Sequence, residues 1–167
     1  AFNLAEYVTG EEVVSLSAEL HRVVAGRMLD DDGTVSLTFG NNISGTLLAS
    51  QVATGEENNL SIRIYGEDGA LIWRQMEPNT LIHLRSDAPV QAIRTGTSFA
   101  VTGLPAFMHT RLPAGHPEGF IEAFGNLYRN FAMHIKAVND GQKPDPAADY
   151  PGIKEGVRGM KFLEAVV

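Results

Sequence analysis

Apolar residues recur at helical spacing near both ends of the chain and alternate with polar ones through its middle. Ala1, Leu4, Ala5 and Val8 form a short stripe that stops at Gly10, which predicts a helix ending there. From residue 12 to about 95 the period is two. Val14, Leu16, Ala18 and Leu20 alternate with Ser15, Ser17, Glu19 and His21, and Val35, Leu37 and Phe39 with Thr34, Ser36 and Thr38. Gly40-Asn41-Asn42 predicts a hairpin turn into a strand over 43–52. A second hairpin pairs 60–65 with 70–76 across Gly66-Glu67-Asp68-Gly69. Pro78-Asn79 turns the chain into 81–84, and 90–93 adds an edge.

Beyond residue 95 the alternation fades, and the stretch through Leu112 reads as an irregular connection. Phe120, Ala123, Phe124, Leu127, Phe131 and Ile135 then make one apolar stripe, predicting a helix from Pro117 to about Ala137 with Pro117 in its first position. The proline-rich stretch 141–151 is extended. A last helix over 152–167 has Val157, Met160, Leu163, Ala165 and Val166 facing inward. This order predicts an α+β fold: one large, open, mostly antiparallel sheet with helices packed on one face, as a single domain over 1–167.

Composition narrows the classes of function. The 167 residues are 44% hydrophobic and carry a net charge of −7, which suits one buried core and disfavours nucleic acid or anionic membrane as partner. No cysteine is present, so disulfides and thiolate metal sites are excluded. No apolar run approaches the ~20 residues that span a bilayer, and a cytoplasmic location is expected. The first helical stripe has no capping residue ahead of it, which predicts that the chain is the trimmed part of a longer protein.

The second face of the predicted sheet carries Thr46, Leu48, Ser50, Arg63, Tyr65, Ile72, Arg74 and Met76, a mixture suited to self-association. The most informative chemistry lies in Gly115-His116-Pro117-Glu118-Gly119-Phe120. Here an imidazole and a carboxylate at the mouth of a helix offer donors and acceptors for the hydroxyls of a polyol. A helix cap by His116 and a dipole contact by Glu118 explain the same residues equally well. Trp73 offers an indole face to a sugar, although an indole on a strand is more often core.

Weaker candidates are His21, Arg22 and Arg27, beside a loop that suits an anion, and Gln51, Glu56 and Asn58 after a strand. Asp30-Asp31-Asp32 lacks a cation loop's spacing and reads as a solvated turn. His83, His109 and His134 are isolated, so no metal is expected. No phosphate loop, dinucleotide fingerprint or nucleophile triad is present.

Taken together, the segments 1–10, Leu29-Asp30-Asp31-Asp32, 45–53, Ile64-Tyr65-Gly66-Glu67-Asp68-Gly69 with Leu71-Ile72-Trp73, 115–128, and Gly156-Val157-Arg158-Gly159-Met160-Lys161-Phe162 resemble the C-terminal domain of the Gfo/Idh/MocA family of NAD(P)-dependent oxidoreductases. The resemblance implies a two-domain enzyme that moves hydride between NAD or NADP and a hydroxyl of a sugar or cyclitol. In that pattern the dinucleotide sits on an N-terminal Rossmann domain, and a Lys, an Asp and a His outside these residues carry the proton chemistry. No catalytic, cofactor-binding or metal-binding residue is then assigned to this chain, which binds no cofactor and is inactive alone. The resemblance strengthens His116, Glu118, Phe120 and Trp73 as substrate contacts and implies a homo-oligomer, dimer or tetramer, formed through the open sheet face. A stand-alone carbohydrate-binding or dimerisation module is the alternative.

Overall fold

The computed structural model describes the backbone of residues 1–167 and the side chains of all but residues 99–101. The elements are α1 (Phe2–Thr9), β1 (Val13–His21), β2 (Asp32–Phe39), β3 (Ser44–Ser50), β4 (Ser61–Tyr65), β5 (Ala70–Arg74), β6 (Thr80–Leu84), β7 (Gln91–Arg94), α2 (Phe99–Met108), α3 (Phe120–Asn139) and α4 (Ile153–Val166). The α+β class expected from the pattern holds, and the strands are hydrogen-bonded as two antiparallel sheets, β1-β2-β3 and β4-β5-β6-β7. The chain forms two compact units, residues 1–57 with 151–167, and residues 58–150.

In the first unit the register sets Leu16 opposite Leu37 and Ala18 opposite Val35, and Val35 in turn opposite Leu47. One face of the sheet therefore collects the apolar residues, and Val35, Leu37 and Phe39 form the buried core beneath Ala5 of α1 and Phe162 and Val166 of α4. Each such side chain contributes about 1.5–3 kcal/mol on burial. At its start β1 departs from the simple alternation. A register shift between Val13 and Ser15 brings Val13 onto the core and leaves Val14 exposed, because one extra residue in a strand reverses the facing of what precedes it. The hairpin turn is as expected, with Asn41 and Asn42 at φ 55° and 61°, conformations that asparagine tolerates better than most residues.

Helix α1 ends at Gly10, at φ 70°, whose N–H donates to the Glu6 carbonyl at 2.9 Å. Its buried residue is Phe2, stacked at 4.2 Å on Phe162, while Val8 is exposed. Val157, Met160 and Leu163 of α4 are also exposed, so the core-facing side of that helix is the one bearing Phe162 and Val166.

The two helices and β1 are joined by one carboxylate. Both oxygens of Glu6 accept from Nε of Arg158, at 2.9 and 2.8 Å, and Oε1 accepts the N–H of Val13 at 2.8 Å. Nη2 of Arg158 donates to the Val13 carbonyl at 2.8 Å. Burial pushes the Glu6 carboxyl upward, but the hydrogen bonds from Arg158 and Val13 and the charge of Arg158 outweigh it and hold the group below the usual glutamate range.

The acidic run differs from the solvated turn expected of it. Asp31 is buried and accepts the N–H groups of Val23 and Val24 at 2.7 and 3.1 Å, with Arg27 at 3.2 Å. Its carboxyl is lowered, chiefly by the Val23 N–H. It fastens the loop that follows β1.

In the second unit Ile62 lies opposite Trp73 and Trp73 opposite Leu81, while Ile64, Leu71 and His83 make a parallel row on the same face. The stretch expected to be irregular contains α2, interrupted at Gly103 (φ 77°) with Pro105 just beyond. Its small residues and proline masked the helical period. Helix α3 begins three residues after Pro117, not at it. Gly119 precedes its first turn, and the Glu122 carboxylate accepts the Gly119 N–H at 2.8 Å. The apolar stripe of α3 is exposed at Phe120, Phe124, Leu127, Phe131 and Ile135, whereas Asn130 is 2% exposed. Periodicity located the stripe but carried no information about what covers it.

Candidate functional site

The loop between α2 and α3 is closed by its own side chains. Oε1 of Glu118 accepts the N–H groups of Arg111 and Leu112, each at 2.6 Å, drawing the start of the loop to its end. Nη1 of Arg111 donates to the Glu122 carbonyl at 3.2 Å. The Glu122 carboxyl is held below the usual range, first by the Gly119 N–H. Glu118 thus has a structural task at Oε1 that spacing alone did not reveal.

His116 lies inside this loop and is exposed. Its backbone N–H and its Nδ1 both approach the Pro113 carbonyl, at 3.1 and 3.3 Å. A carbonyl only accepts, so in the neutral ring the hydrogen sits on Nδ1 and Nε2 is left as an acceptor. Such an atom takes a hydrogen bond from a ligand hydroxyl.

Asparagine 79, read from the sequence only as part of a turn, anchors the loop to the sheet. Nδ2 of Asn79 donates to the Glu118 carbonyl at 2.6 Å, and Oδ1 accepts the Glu118 N–H at 3.2 Å and the Thr95 hydroxyl at 3.0 Å. The Thr95 N–H donates to the Asn79 carbonyl at 3.0 Å. Trp73 braces the same turn, since its indole Nε1–H donates to the Pro78 carbonyl at 3.0 Å. Of the four expected substrate contacts, Trp73 and Glu118 are therefore linked through the 78–79 turn, with His116 two residues before Glu118 in the chain and Phe120 two after. Phe120 is 71% exposed and packs its ring 4.7 Å from Phe124.

The other candidates fall elsewhere. His21 and Arg22 are exposed, and Arg27 pairs with Asp31. Gln51, Glu56 and Asn58 are exposed, the Gln51 N–H donating to the Asp31 carbonyl at 2.8 Å and the Asn58 carbonyl accepting from Gln75 at 3.3 Å. His83 approaches Gln91 at 3.3 Å, and His134 stands edge-on to Tyr150 at 5.6 Å.

His109 joins a network missed in the sequence. Its Nδ1 lies 2.7 Å from the Pro105 carbonyl, and Nδ2 of Asn130 reaches its Nε2 at 2.8 Å and the Asp149 carbonyl at 2.7 Å. Among the described residues no group of three or more His, Cys, Asp or Glu is placed to hold a metal, and no helix is long and apolar enough to cross a membrane. An open groove of about 400 Å³ in the first unit is lined by Phe2, Val13, Leu16, Arg158, Lys161 and Phe162 and shares no residue with the His116 loop. Arg158 there is already committed to Glu6.

Residues 1–72 match the GFO/IDH/MocA C-terminal domain. The uncharacterized oxidoreductase YfiI of Bacillus subtilis (strain 168) is 30% identical over 140 residues, which are 83% of this chain and 35% of that protein. The chain belongs to the GFO/IDH/MocA C-terminal domain family.

Solved structures extend the match over nearly the whole chain. An oxidoreductase from Sinorhizobium meliloti has a TM-score of 0.92 at 38% identity, covering 99% of this chain and 46% of that one. An inositol dehydrogenase homolog from Azotobacter vinelandii, complexed with NADH and myo-inositol, has a TM-score of 0.85 at 28% identity, covering 99% of this chain and 45% of that one. This GFO/IDH/MocA domain thus spans less than half the length of each relative described. A dinucleotide cradle of the Rossmann kind requires a parallel β-α-β unit. The strands described in this domain pair antiparallel throughout, so these residues form no cradle of that kind.

Proposed function

We propose that this domain is the substrate-binding part of an NAD(P)-dependent oxidoreductase that acts on a hydroxyl of a sugar or cyclitol. One observation carries the reading: an exposed imidazole whose Nδ1 is tied to the Pro113 carbonyl, with Nε2 left to accept a hydrogen bond. A ring of vicinal hydroxyls is the ligand chemistry that suits a fixed acceptor, and the chain that carries it runs on into an exposed aromatic pair, Phe120 and Phe124. The myo-inositol in the Azotobacter vinelandii homolog supports that substrate class.

Glu118 contributes by ordering the loop, and Trp73 by bracing the turn against which the loop is held. With no cradle for the dinucleotide among the described residues, the domain alone binds polyol without turning it over. In the full-length protein, His116→Ala should lower kcat/KM for a cyclitol or sugar about fivefold, the value of one neutral hydrogen bond of roughly 1 kcal/mol. The melting temperature should not move. Unchanged kinetics together with a lower melting temperature would assign His116 to loop folding instead.

The enzyme is also proposed to be a homo-oligomer. Leu48 on the first sheet and Tyr65 on the second are 70% and 72% exposed, and both belong to the mixed apolar and polar sheet face read as an association surface. Sedimentation of the full-length protein should give a dimer or tetramer. A monomer at micromolar concentration rules this out.

A further inference from the structure

We propose that Asn79 is a positioning residue for the substrate site, setting where His116 presents its Nε2. The inference rests on the reading of His116 as a substrate contact and goes beyond it by naming the group that aims it. Asn79 lies 37 positions before His116 in the chain, and no sequence motif joins the two.

The His116 loop is secured at two levels. Within the loop, the Glu118 carboxylate holds the N–H groups of Arg111 and Leu112 and so fixes the loop's internal shape, while the bond to Pro113 orients the imidazole. None of them fixes the loop to the sheet. That task falls to the amide of Asn79, which pairs with the main chain of Glu118 in both directions as a neighbouring strand would.

The amide is itself immobilised. Its Oδ1 takes the Thr95 hydroxyl from the end of β7, its carbonyl takes the Thr95 N–H, and the preceding Pro78 carbonyl takes the Trp73 indole. A flipped amide would set its NH2 against the Glu118 N–H and its oxygen against the Glu118 carbonyl, so the orientation is unique. Aspartate has the right shape but would place an oxygen against that carbonyl. Glutamine is longer by one methylene and does not reach both groups in register. The position demands asparagine because the loop behind it has to be located, and His116 is the loop's exposed polar side chain two residues from the anchored peptide.

A double-mutant cycle in the full-length protein tests this, with steady-state kinetics on myo-inositol or whichever polyol of a panel is turned over. Asn79→Ala should lower kcat/KM about threefold, mainly through KM and by no more than the loss of His116 itself, because a displaced acceptor meets the substrate hydroxyl less well. In a His116→Ala background the same change should have almost no further effect, since there is no acceptor left to aim. Thr95→Val, which removes one bond to Oδ1 and leaves the Glu118 pairing in place, should show a smaller loss with the same dependence on His116. It serves alone if Asn79→Ala does not fold. Equal losses with and without His116 would overturn the proposal and leave the substrate reading standing. If His116→Ala itself has no kinetic effect, the substrate reading fails, and this inference with it.

Discussion

Replacing Phe39 by alanine should destabilise the first unit by about 3–5 kcal/mol, the range for truncating a buried phenylalanine. The ring is 4% exposed and completes the row of Val35, Leu37 and Phe39 on the central strand β2. Both neighbours of β2 are hydrogen-bonded to it, so the sheet cannot close over the void without breaking register. The ring also covers Gly45, where an added Cβ would come within 3.0 Å of Phe39 Cε2, and the strand there approaches too closely to refill the space by a rotamer change. Against a typical total of 5–15 kcal/mol, a loss of this size is decisive. Hydrogen exchange at the amides of β1, β2 and β3 measures it locally. Protection unchanged to within a factor of ten would show that the ring is not part of the core.

Asn130→Leu should cost about 2–4 kcal/mol, although leucine has nearly the same size and is the more hydrophobic residue. Two acceptors depend on Nδ2 of Asn130, the Asp149 carbonyl and Nε2 of His109. The tautomer of the imidazole is set from its other side, because Nδ1 faces the Pro105 carbonyl and has to carry the hydrogen. With leucine at 130, both acceptors are left facing hydrocarbon in a site only 2% exposed. Adding His109→Phe to the leucine variant removes one orphaned acceptor and should recover part of the loss, a sign that a simple volume effect would not produce. Urea unfolding of the two variants decides the matter. A leucine variant as stable as the parent would mean that the network does not form.

Elements whose side chains alternate cleanly were legible from residue types. The β2–β3 hairpin, the β4–β5 hairpin and the burial of Val35, Leu37 and Phe39 all follow from period-two spacing and turn residues. Val14 was misplaced because a single bulge changes facing without altering composition. Helix α2 was missed because Gly103 and Pro105 break its signal. At the candidate site, His116, Glu118, Phe120 and Trp73 stood out as chemically capable groups. Asn79 and Asn130 did not, because asparagine in a turn or on a helix is common and its partners lie 16 to 39 residues away.

The sequence by itself therefore determined the α+β class, the hairpins and their turns, the family resemblance and the segment where ligand chemistry concentrates. These depend on local periodicity and backbone preference, which each stretch of chain expresses without its neighbours. Only the tertiary structure decided that Glu118 closes the His116 loop, that Asn79 anchors it, that Asp31 is buried and that the one deeply buried residue of α3 is polar. Those outcomes turn on which donor meets which acceptor across long intervals of chain. A hydrogen bond is satisfied by geometry, and residue type alone does not specify that geometry.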